Sequence, residues 1–224
     1  MIIFFGANSA LALRCAAALG EEDTLVGFCR KASKTTRETY DQVFEIDYRQ
    51  PQSAMDAIER IAGERITVVN FAARKIDKLF INIEADDVSD MLETNLGVNF
   101  IVLPPLIRKM VSAKWGRIIF LSSTGALRGD SGLTLYSTAK TGLIGLARSL
   151  AREYGRFGIT ANVLSLGYFD AGLMDSIPEK LRATMIADIP SKKLGDASNI
   201  AESVRFLIRA DYVNGAVIPI DGGL

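Results

Sequence analysis

The sequence predicts a doubly wound α/β protein in which a seven-stranded parallel sheet carries helices on both faces. Seven short runs of β-branched or aromatic residues recur along the 224 residues, and segments with helical apolar spacing lie between most of them. This alternation is typical of parallel strands joined by helical crossovers. Because the chain contains no internal repeat, low-complexity tract or domain-joining linker, we expect residues 1–224 to form one domain.

The predicted strands are apolar runs, of which the first reads IIFF. In chain order they cover residues 2–5, 24–28, 43–46, 66–69, 117–121, 159–164 and 216–220. Ligands bind at the carboxyl ends of the strands in an open sheet of this kind, so the residues that follow each run are the first candidates for a site.

The predicted helices begin and end at recognisable residues. They cover residues 9–19, 52–62, 86–111, 134–154, 178–188 and 197–209. Pro51 suits the first turn of the second helix and Gly63 suits its C-terminal cap. Pro104 and Pro105 should kink or end the long helix 86–111, because proline has no N–H group and its ring clashes with the preceding turn.

The composition excludes several classes of function. The absence of histidine removes Ser-His-Asp hydrolases, His-paired thiol proteases and nearly all His-ligated metal enzymes, so we expect no metal site and proton transfer by Tyr, Lys, Asp or Glu. Lys plus Arg equal Asp plus Glu at 26 each, so no global field would hold the protein on nucleic acid or an anionic membrane. The longest apolar stretches are shorter than a bilayer span and the first strand begins at Ile2, so we expect a cytoplasmic protein without a signal peptide. Cys15 and Cys29 should be small buried or half-buried side chains, with no disulfide framework.

The segment FFGANSALAL, residues 4–13, lies where a phosphate-binding turn would lie. Gly6 directly follows the first strand and Ser9 begins a helix, whose free N–H groups could bind a pyrophosphate. In the usual fingerprint of spaced glycines the later ones allow close backbone approach, and here they are Ala10 and Ala12. An ordinary tight strand-to-helix turn explains the segment equally well, so the segment alone leaves both interpretations open.

The end of the second strand favours NADP(H) over NAD(H). An NAD enzyme would carry an acidic residue here for the ribose 2′-hydroxyl, whereas this chain has Arg30 and Lys31, which would attract a 2′-phosphate. Two basic residues at a strand end are also typical of a solvated loop.

A second set of candidates lies in RIIFLSSTGALRGDSGLTLYSTAK, residues 117–140. A strand ends at Ser123, and a later helix presents Tyr136 and Lys140 one turn apart on the same face. The charge of Lys140 should lower the pKa of Tyr136 from about 10 toward the working pH, making Tyr136 a proton donor to a carbonyl that Ser123 holds. Ser137-x-x-Lys140 also matches a motif of serine acyl enzymes, but the overlapping K-T-G shares Lys140 and S-D-N is missing, so we regard this as a chance match.

Over the whole chain these residues resemble the classical short-chain dehydrogenases/reductases, especially their 3-oxoacyl-(acyl carrier protein) reductase-like members. Tyr136-x-x-x-Lys140 is similar to the family's catalytic pair, and Ser123 matches its catalytic serine. Asn95, in ETNLGVNF, resembles the asparagine that supports a water relay to the lysine. The resemblance implies a single-domain Rossmann fold, with a cofactor half at about 1–115 and a catalytic and substrate half at about 116–224.

The same resemblance implies a cofactor-binding set. Asp47 in EIDYRQ matches the aspartate that hydrogen-bonds the adenine, and Asn70 in VVNFAAR matches the first residue of the family's N-N-A-G segment. The full set is Gly6, Asn8, Ser9, Ala10, Leu11, Arg30, Lys31, Asp47, Tyr48, Asn70, Ala72, Tyr136, Lys140 and Gly167. Departures from the family pattern all lie on the cofactor side, at Ala10, Ala12, Phe71, Ala73, Leu166 and Ala171.

The implied activity is reduction of a ketone, with a 3-oxoacyl thioester as one substrate that the resemblance suggests. NADPH would supply the hydride, Tyr136 would protonate the alkoxide, Ser123 would orient the oxygen, and Lys140 would tune Tyr136 and hold the nicotinamide ribose. Two alternatives stay open. One is oxidation of a secondary alcohol, and the other is a non-catalytic binding or regulatory protein with an impaired cofactor site.

The resemblance also suggests what the surface does. The segment 168–190 corresponds to a substrate lid, although its apolar residues are equally typical of core contacts. These residues are Leu173, Met174, Ile177, Leu181, Met185, Ile186 and Ile189. Lys114, Arg128, Arg152 and Arg156 could form a basic rim for an acyl carrier protein, or a solvated surface. Long helices with apolar positions on more than one face predict a homotetramer or homodimer.

Overall fold

The strands in the described part of the chain all belong to one sheet. A computed structural model describes residues 1–20, 23–47, 50–172, 174 and 177–224. Its strands are β1 (Ile2–Phe5), β2 (Leu25–Cys29), β3 (Gln42–Glu45), β4 (Ile66–Asn70), β5 (Gly116–Ser123), β6 (Ile159–Leu166) and β7 (Val217–Ile220). They are parallel and follow the order β3-β2-β1-β4-β5-β6-β7. The predicted fold class and all seven strands are confirmed, with strand ends that shift by at most two residues.

The order of the strands locates a crevice. From β1 the chain runs outward through β2 and β3, and it then crosses to β4 on the other side of β1. The loops that follow β1 and β4 therefore leave the sheet in opposite directions, which opens a space at their carboxyl ends.

Nine helices are present in the described part of the chain. They are α1 (Ala10–Leu19), α2 (Lys34–Thr39), α3 (Pro51–Glu59), α4 (Ala85–Leu92), α5 (Val98–Ala113), α6 (Gly125–Arg128), α7 (Thr134–Tyr154), α8 (Glu179–Asp188) and α9 (Ala197–Arg209). All six predicted helices are found, whereas α2 and α6 were missed because so few residues give no apolar period. The Gly63 cap is wrong: α3 ends at Glu59, and the chain turns there so that Ile61 packs into the core.

The predicted helix 86–111 is continuous but contains a wide turn. A π-helical turn at Glu93–Gly97 joins α4 to α5, and α5 continues past Pro104 and Pro105 to Ala113. We expected the prolines to kink or end the helix, and the expectation of an end is wrong. Burial of Leu103, Pro105 and Leu106 against the sheet outweighs the cost of the missing N–H groups.

The helical segment 85–113 is also long and apolar enough, by length and composition alone, to cross a membrane. The mean hydropathy of its most apolar window is 1.3, and 39% of that window is buried in the structure. Val102, Leu106 and Met110 of this segment pack in the core. Core helices of soluble proteins pass the same test, so this is weak evidence for a membrane span.

Two apolar clusters cover the two faces of the sheet. Ile3 and Phe5 of β1 enter the cluster beneath α3, α5 and α7, whereas Ile2 and Phe4 enter the cluster beneath α1 and α9. The second cluster also buries Cys15 and Cys29, as predicted. Burial raises the pKa of both thiols, so both stay protonated at neutral pH.

Candidate active site

The turn after β1 depends on a glycine. Gly6 has a φ of +73°, and a Cβ at this position would lie 2.6 Å from the backbone nitrogen of Ala72, at the end of β4. Only glycine allows both this conformation and this close approach of two backbone segments. The turn after β1 and the loop after β4 therefore form one packed wall at the crevice.

The N-terminus of α1 presents backbone donors beside this wall. The Ser9 side chain caps the helix by accepting a hydrogen bond from the Ala12 N–H at 3.2 Å, and the Leu13 N–H donates to the Ser9 carbonyl. The N–H groups of Ala10 and Leu11 precede this first intrahelical bond and are available to an external acceptor. Ala12 is fully buried, so the methyl group that replaces a glycine hydrogen packs into the core.

A cleft of about 900 Å³ opens at the ends of β1, β2 and β4, and it collects much of the predicted cofactor set. Six predicted residues line it: Gly6, Asn8, Ser9, Arg30, Asp47 and Ala72. Arg30 is exposed and free to meet a ligand there. Seven others do not line it, namely Ala10, Leu11, Lys31, Asn70, Tyr136, Lys140 and Gly167. Tyr48 lies outside the described residues.

The loop after β4 is held from behind by two asparagines. The Asn70 side-chain nitrogen donates to Asn99 Oδ1 at 2.6 Å, and the Ala72 N–H donates to Asn70 Oδ1 at 2.8 Å. The Phe71 ring stacks on Phe4 with ring centroids 5.6 Å apart. Asn70 thus fixes the conformation of the loop after β4. Phe71 stands where the family pattern has a second asparagine, and its ring packs in the core over β1.

Three predicted catalytic residues meet at the carboxyl end of β5. Ser123 ends this strand, while Tyr136 and Lys140 lie on one face of α7 and are buried. The Ser123 side chain is hydrogen-bonded to Tyr136. The Lys140 Nζ lies 5.9 Å from the Tyr136 ring centroid and donates to the Leu121 carbonyl at 2.9 Å.

The predicted effect of Lys140 on Tyr136 is wrong in this structure. Burial raises the pKa of Tyr136 to about 12, the hydrogen bond with Ser123 partly opposes this rise, and the charge of Asp77 adds to it. Burial also lowers the pKa of Lys140 to about 8. The physical reason is that the Lys140 ammonium donates to the Leu121 carbonyl instead of facing the Tyr136 hydroxyl. Burial, and not the charge of Lys140, therefore determines the pKa of Tyr136 and of Lys140.

Asn95 lies in the π-helical turn and ties that turn to the loop after β4. Its side-chain nitrogen donates to the carbonyls of Arg74 at 2.9 Å and Met91 at 3.0 Å, and its Oδ1 accepts from the Arg74 N–H at 3.2 Å. The amide is therefore occupied by backbone partners. Asn95 is buried, and single π-helical turns inside α-helices are frequent at functional sites.

Sequence reasoning missed a charged wall of the cleft. Arg74, Asp90 and Glu93 line it, and Arg74 forms an ion pair with Asp90. The one available signal was the position of Arg74 directly after the N-F-A-A segment. Asp90 and Glu93 looked like ordinary exposed residues of a helix, because nothing local shows which face of α4 borders the cleft.

Gly167 packs against the C-terminal segment. A Cβ at Gly167 would lie 2.7 Å from the Asp221 Cα, and the Gly167 N–H donates to the Ile220 carbonyl at 3.0 Å.

The apolar residues of the expected lid segment, 168–190, differ in burial. Met174 and Ile189 are buried, Leu181 on α8 is 53% exposed, and Leu173 lies outside the described residues.

The proposed basic rim does not form. Lys114 precedes β5, and Arg152 and Arg156 precede β6, so all three lie at the amino ends of these strands. Arg128, on α6, follows the carboxyl end of β5 and is the one member at the edge of the candidate site. The prediction is wrong because each crossover helix returns the chain to the opposite edge of the sheet.

The described residues contain no group of three or more Cys, Asp or Glu side chains arranged to hold a metal ion.

Comparisons with known proteins match this arrangement over most of the chain. A family model described as enoyl-(acyl carrier protein) reductase matches residues 6–224. The 3-oxoacyl-(acyl-carrier-protein) reductase FabG of Pseudomonas aeruginosa is 36% identical over 174 residues, which cover 77% of this chain and 70% of that protein. The 3-oxoacyl-(acyl-carrier-protein) reductase MabA of Mycobacterium avium is 30% identical over 226 residues, covering 100% of this chain and 89% of that protein.

A solved structure extends the match to the fold. The crystal structure of a candidate gluconate dehydrogenase from Agrobacterium tumefaciens superposes with a TM-score of 0.89, covering 100% of this chain and 94% of that one. Its sequence identity of 22% limits this likeness to the fold alone.

Proposed function

Because this chain belongs to the short-chain dehydrogenase/reductase family of oxidoreductases, we propose that it reduces a ketone to a secondary alcohol with NADP(H) as its cofactor. One observation carries the proposal. Ser123, Tyr136 and Lys140 converge at the carboxyl end of β5, on the sheet edge that also holds the cleft between β1 and β4. A ketone oxygen placed there would meet two hydroxyl groups, of which one can donate a proton.

The residues at the cleft fit a dinucleotide. Backbones approach closely at Gly6, and the helix N-terminus beside it offers N–H groups to an anion. We assign the pyrophosphate to Gly6, Asn8 and Ser9, the 2′-phosphate to Arg30 and the adenine to Asp47. When bound, the nicotinamide ring supplies the hydride.

The proton-donor role falls to Tyr136. Its pKa of about 12 keeps the phenol protonated at neutral pH, as reduction of a ketone requires. Oxidation of a secondary alcohol is the same chemistry in reverse and would use Tyr136 as the proton acceptor. Ser123 orients the oxygen, and Asn95 is a positioning residue that holds the loop after β4.

The relatives are named 3-oxoacyl-(acyl-carrier-protein) reductases, which supports a 3-oxoacyl thioester borne by an acyl carrier protein as a substrate. We propose this thioester as the first substrate to assay. We also propose a cytoplasmic homodimer or homotetramer. Phe100 on α5 is 63% exposed, and only 39% of the most apolar window in the segment 85–113 is buried within one chain, which suits contact with a second copy.

The test combines binding with turnover. NADPH and NADH are titrated into the purified protein by fluorescence, and NADPH-dependent reduction of a 3-oxoacyl thioester is then measured for the wild type and Tyr136→Phe. We expect tighter binding of NADPH and loss of at least about 100-fold in kcat for the variant. Tyr212→Phe, at a fully exposed tyrosine, is the matched control. Absence of binding by either nucleotide would favour the non-catalytic alternative, and full activity of Tyr136→Phe would refute the assigned roles.

A further inference from the structure

A second cation lies on the wall of the cleft between β1 and β4. Arg74, on the loop after β4, is exposed there next to Ala73. The buried Asn95 amide fixes the Arg74 backbone, because Asn95 Oδ1 accepts from the Arg74 N–H at 3.2 Å and Asn95 Nδ2 donates to the Arg74 carbonyl at 2.9 Å. The fold thus sets the position of the Arg74 backbone, and its side chain lines the cleft.

The loop that carries Arg74 contacts the turn after β1. A Cβ at Gly6 would lie 2.8 Å from the Ala72 Cα, and Arg74 follows two residues later, at most about 7 Å further along the chain. Ser9, at the N-terminus of α1, lines the same cleft. Because the guanidinium group ends a long side chain, that of Arg74 can reach an anion bound at this turn.

The Arg74 guanidinium keeps donors for such an anion. One of its nitrogens donates to Asp90 Oδ2 on α4, and no other hydrogen bond of this side chain is found among the described residues. A guanidinium has five N–H groups in a fixed fork, so most of them remain available. The side chains of Arg74 and Asp90 are 51% and 49% exposed, and an ion pair so exposed contributes little to stability. The pair therefore holds the guanidinium at the cleft without being needed for the fold.

The charges of the cleft leave one cation for the pyrophosphate. Arg30 and Arg74 are the cations among the described residues that line the cleft, and three carboxylates line it as well. These carboxylates oppose the entry of an anion. Since Arg30 is assigned to the 2′-phosphate, the pyrophosphate would meet only uncharged donors at the turn after β1. Arg74 is the remaining described cation that can attract it.

We infer that Arg74 is a cofactor-binding residue that holds the pyrophosphate through the guanidinium N–H groups that Asp90 does not use. The assignment rests on the proposed function, because the pyrophosphate belongs to the cofactor. Hydrogen bonds from a guanidinium to phosphate oxygens are charge-assisted and about twice as strong as neutral ones. NADPH and NADH both carry the pyrophosphate, so Arg74 raises the affinity for either cofactor, whereas Arg30 distinguishes between them.

The experiment measures nucleotide binding without turnover. NADPH and NADH are titrated by fluorescence into the wild type, Arg74→Met and Arg74→Lys, and adenosine is then used to displace NADPH from each protein. Methionine replaces the charged group by an apolar side chain, and lysine keeps the charge without the fork. Arg152→Met, at an exposed arginine on α7, is the matched control. Urea denaturation compares the stability of the four proteins.

The expected loss follows the pyrophosphate. Arg74→Met should weaken the binding of NADPH and of NADH by about tenfold each, since a hydrogen bond to a charged group has this strength, and Arg74→Lys should fall between Arg74→Met and the wild type. Adenosine has no phosphate, so its affinity should be the same for the wild type and Arg74→Met. The urea midpoints and the binding by Arg152→Met should stay close to those of the wild type.

Three results would overturn the inference while leaving the proposed function in place. Unchanged binding of both nucleotides by Arg74→Met would show that the guanidinium does not contact the cofactor. A loss for NADPH alone would assign Arg74 to the 2′-phosphate, and an equal loss for adenosine would show that Arg74 supports the cleft and does not bind the pyrophosphate. If the wild type binds neither NADPH nor NADH, the proposed function fails and the inference fails with it.

Discussion

Replacing Lys140 with methionine measures the cost of burying this ammonium group. Lys140 is 3% exposed, and burial lowers its pKa from 10.5 to about 8. Between these pH values the unfolded chain binds a proton at this site that the folded chain does not, so the stability contributed here rises with pH through this window and is constant below it. At 1.36 kcal/mol per pKa unit, the folded protein at pH 7 is about 3 kcal/mol less stable than it would be with a neutral group.

Methionine removes this cost but leaves the Leu121 carbonyl without its donor, a loss of about 1–3 kcal/mol. At pH 7 the two effects nearly cancel, and Lys140→Met should unfold at a denaturant concentration close to that of the wild type. At pH 10 the cost of the charge has largely disappeared from the wild type, so the variant should be the less stable protein. The difference in free energy of unfolding should therefore change by about 2–3 kcal/mol between pH 7 and pH 10.

Urea denaturation followed by circular dichroism at pH 7, 8, 9 and 10 gives this difference for both proteins. Other titrating groups cancel in the comparison. Lys180→Met, at an exposed lysine on α8, is the control and should show a difference that does not depend on pH. A pH-independent difference for Lys140→Met as well would show that the ammonium is not desolvated, and would refute the reasoning.

Three further predictions follow from the cleft and its walls. Arg30→Ala should raise KM for NADPH about tenfold or more and leave KM for NADH unchanged, with Lys34→Ala as a surface control; equal changes for both cofactors would contradict the 2′-phosphate assignment. Asn95→Ala should lower the free energy of unfolding, measured by urea denaturation, by about 1–3 kcal/mol. The reason is that the Arg74 N–H, the Arg74 carbonyl and the Met91 carbonyl lose a hydrogen-bond partner. An unchanged urea midpoint would be inconsistent with those bonds. Gly6→Ala should lower the free energy of unfolding by at least about 1–2 kcal/mol and abolish NADPH binding in a fluorescence titration. The reason is that residue 6 has a φ of +73° and its Cβ would collide with the backbone nitrogen of Ala72. Normal NADPH binding by the variant would show that the turn can relax.

Most of the architecture follows from local patterns along the chain. Apolar runs such as IIFF predict strands because a parallel sheet covered on both faces buries every residue of its strands, and β1 is buried throughout. The spacing of Tyr136 and Lys140 predicts a shared helix face for the same kind of reason, since the period of the helix is a local property. The resemblance to a known family added Asn95 and Asp47, which no spacing argument would have selected.

Other features depend on segments that are distant in sequence. Pro104 and Pro105 do not end their helix, because the energy of packing against the sheet is not visible in the local sequence. The four basic residues of the expected rim are separated because strand direction decides which edge of the sheet each one occupies.

The ionisation of the candidate site is likewise a tertiary property. Proximity on a helix suggested a lowered pKa for Tyr136. The folded chain instead excludes water from both Tyr136 and Lys140, and because desolvation favours the neutral form of each group, it raises the pKa of Tyr136 and lowers the pKa of Lys140. Periodicity along the chain thus predicts the strands and helices and the end of the sheet at which a site forms. Burial and contacts between distant segments decide the charges and the shape of that site, because burial and such contacts depend on atoms that the local sequence does not contain.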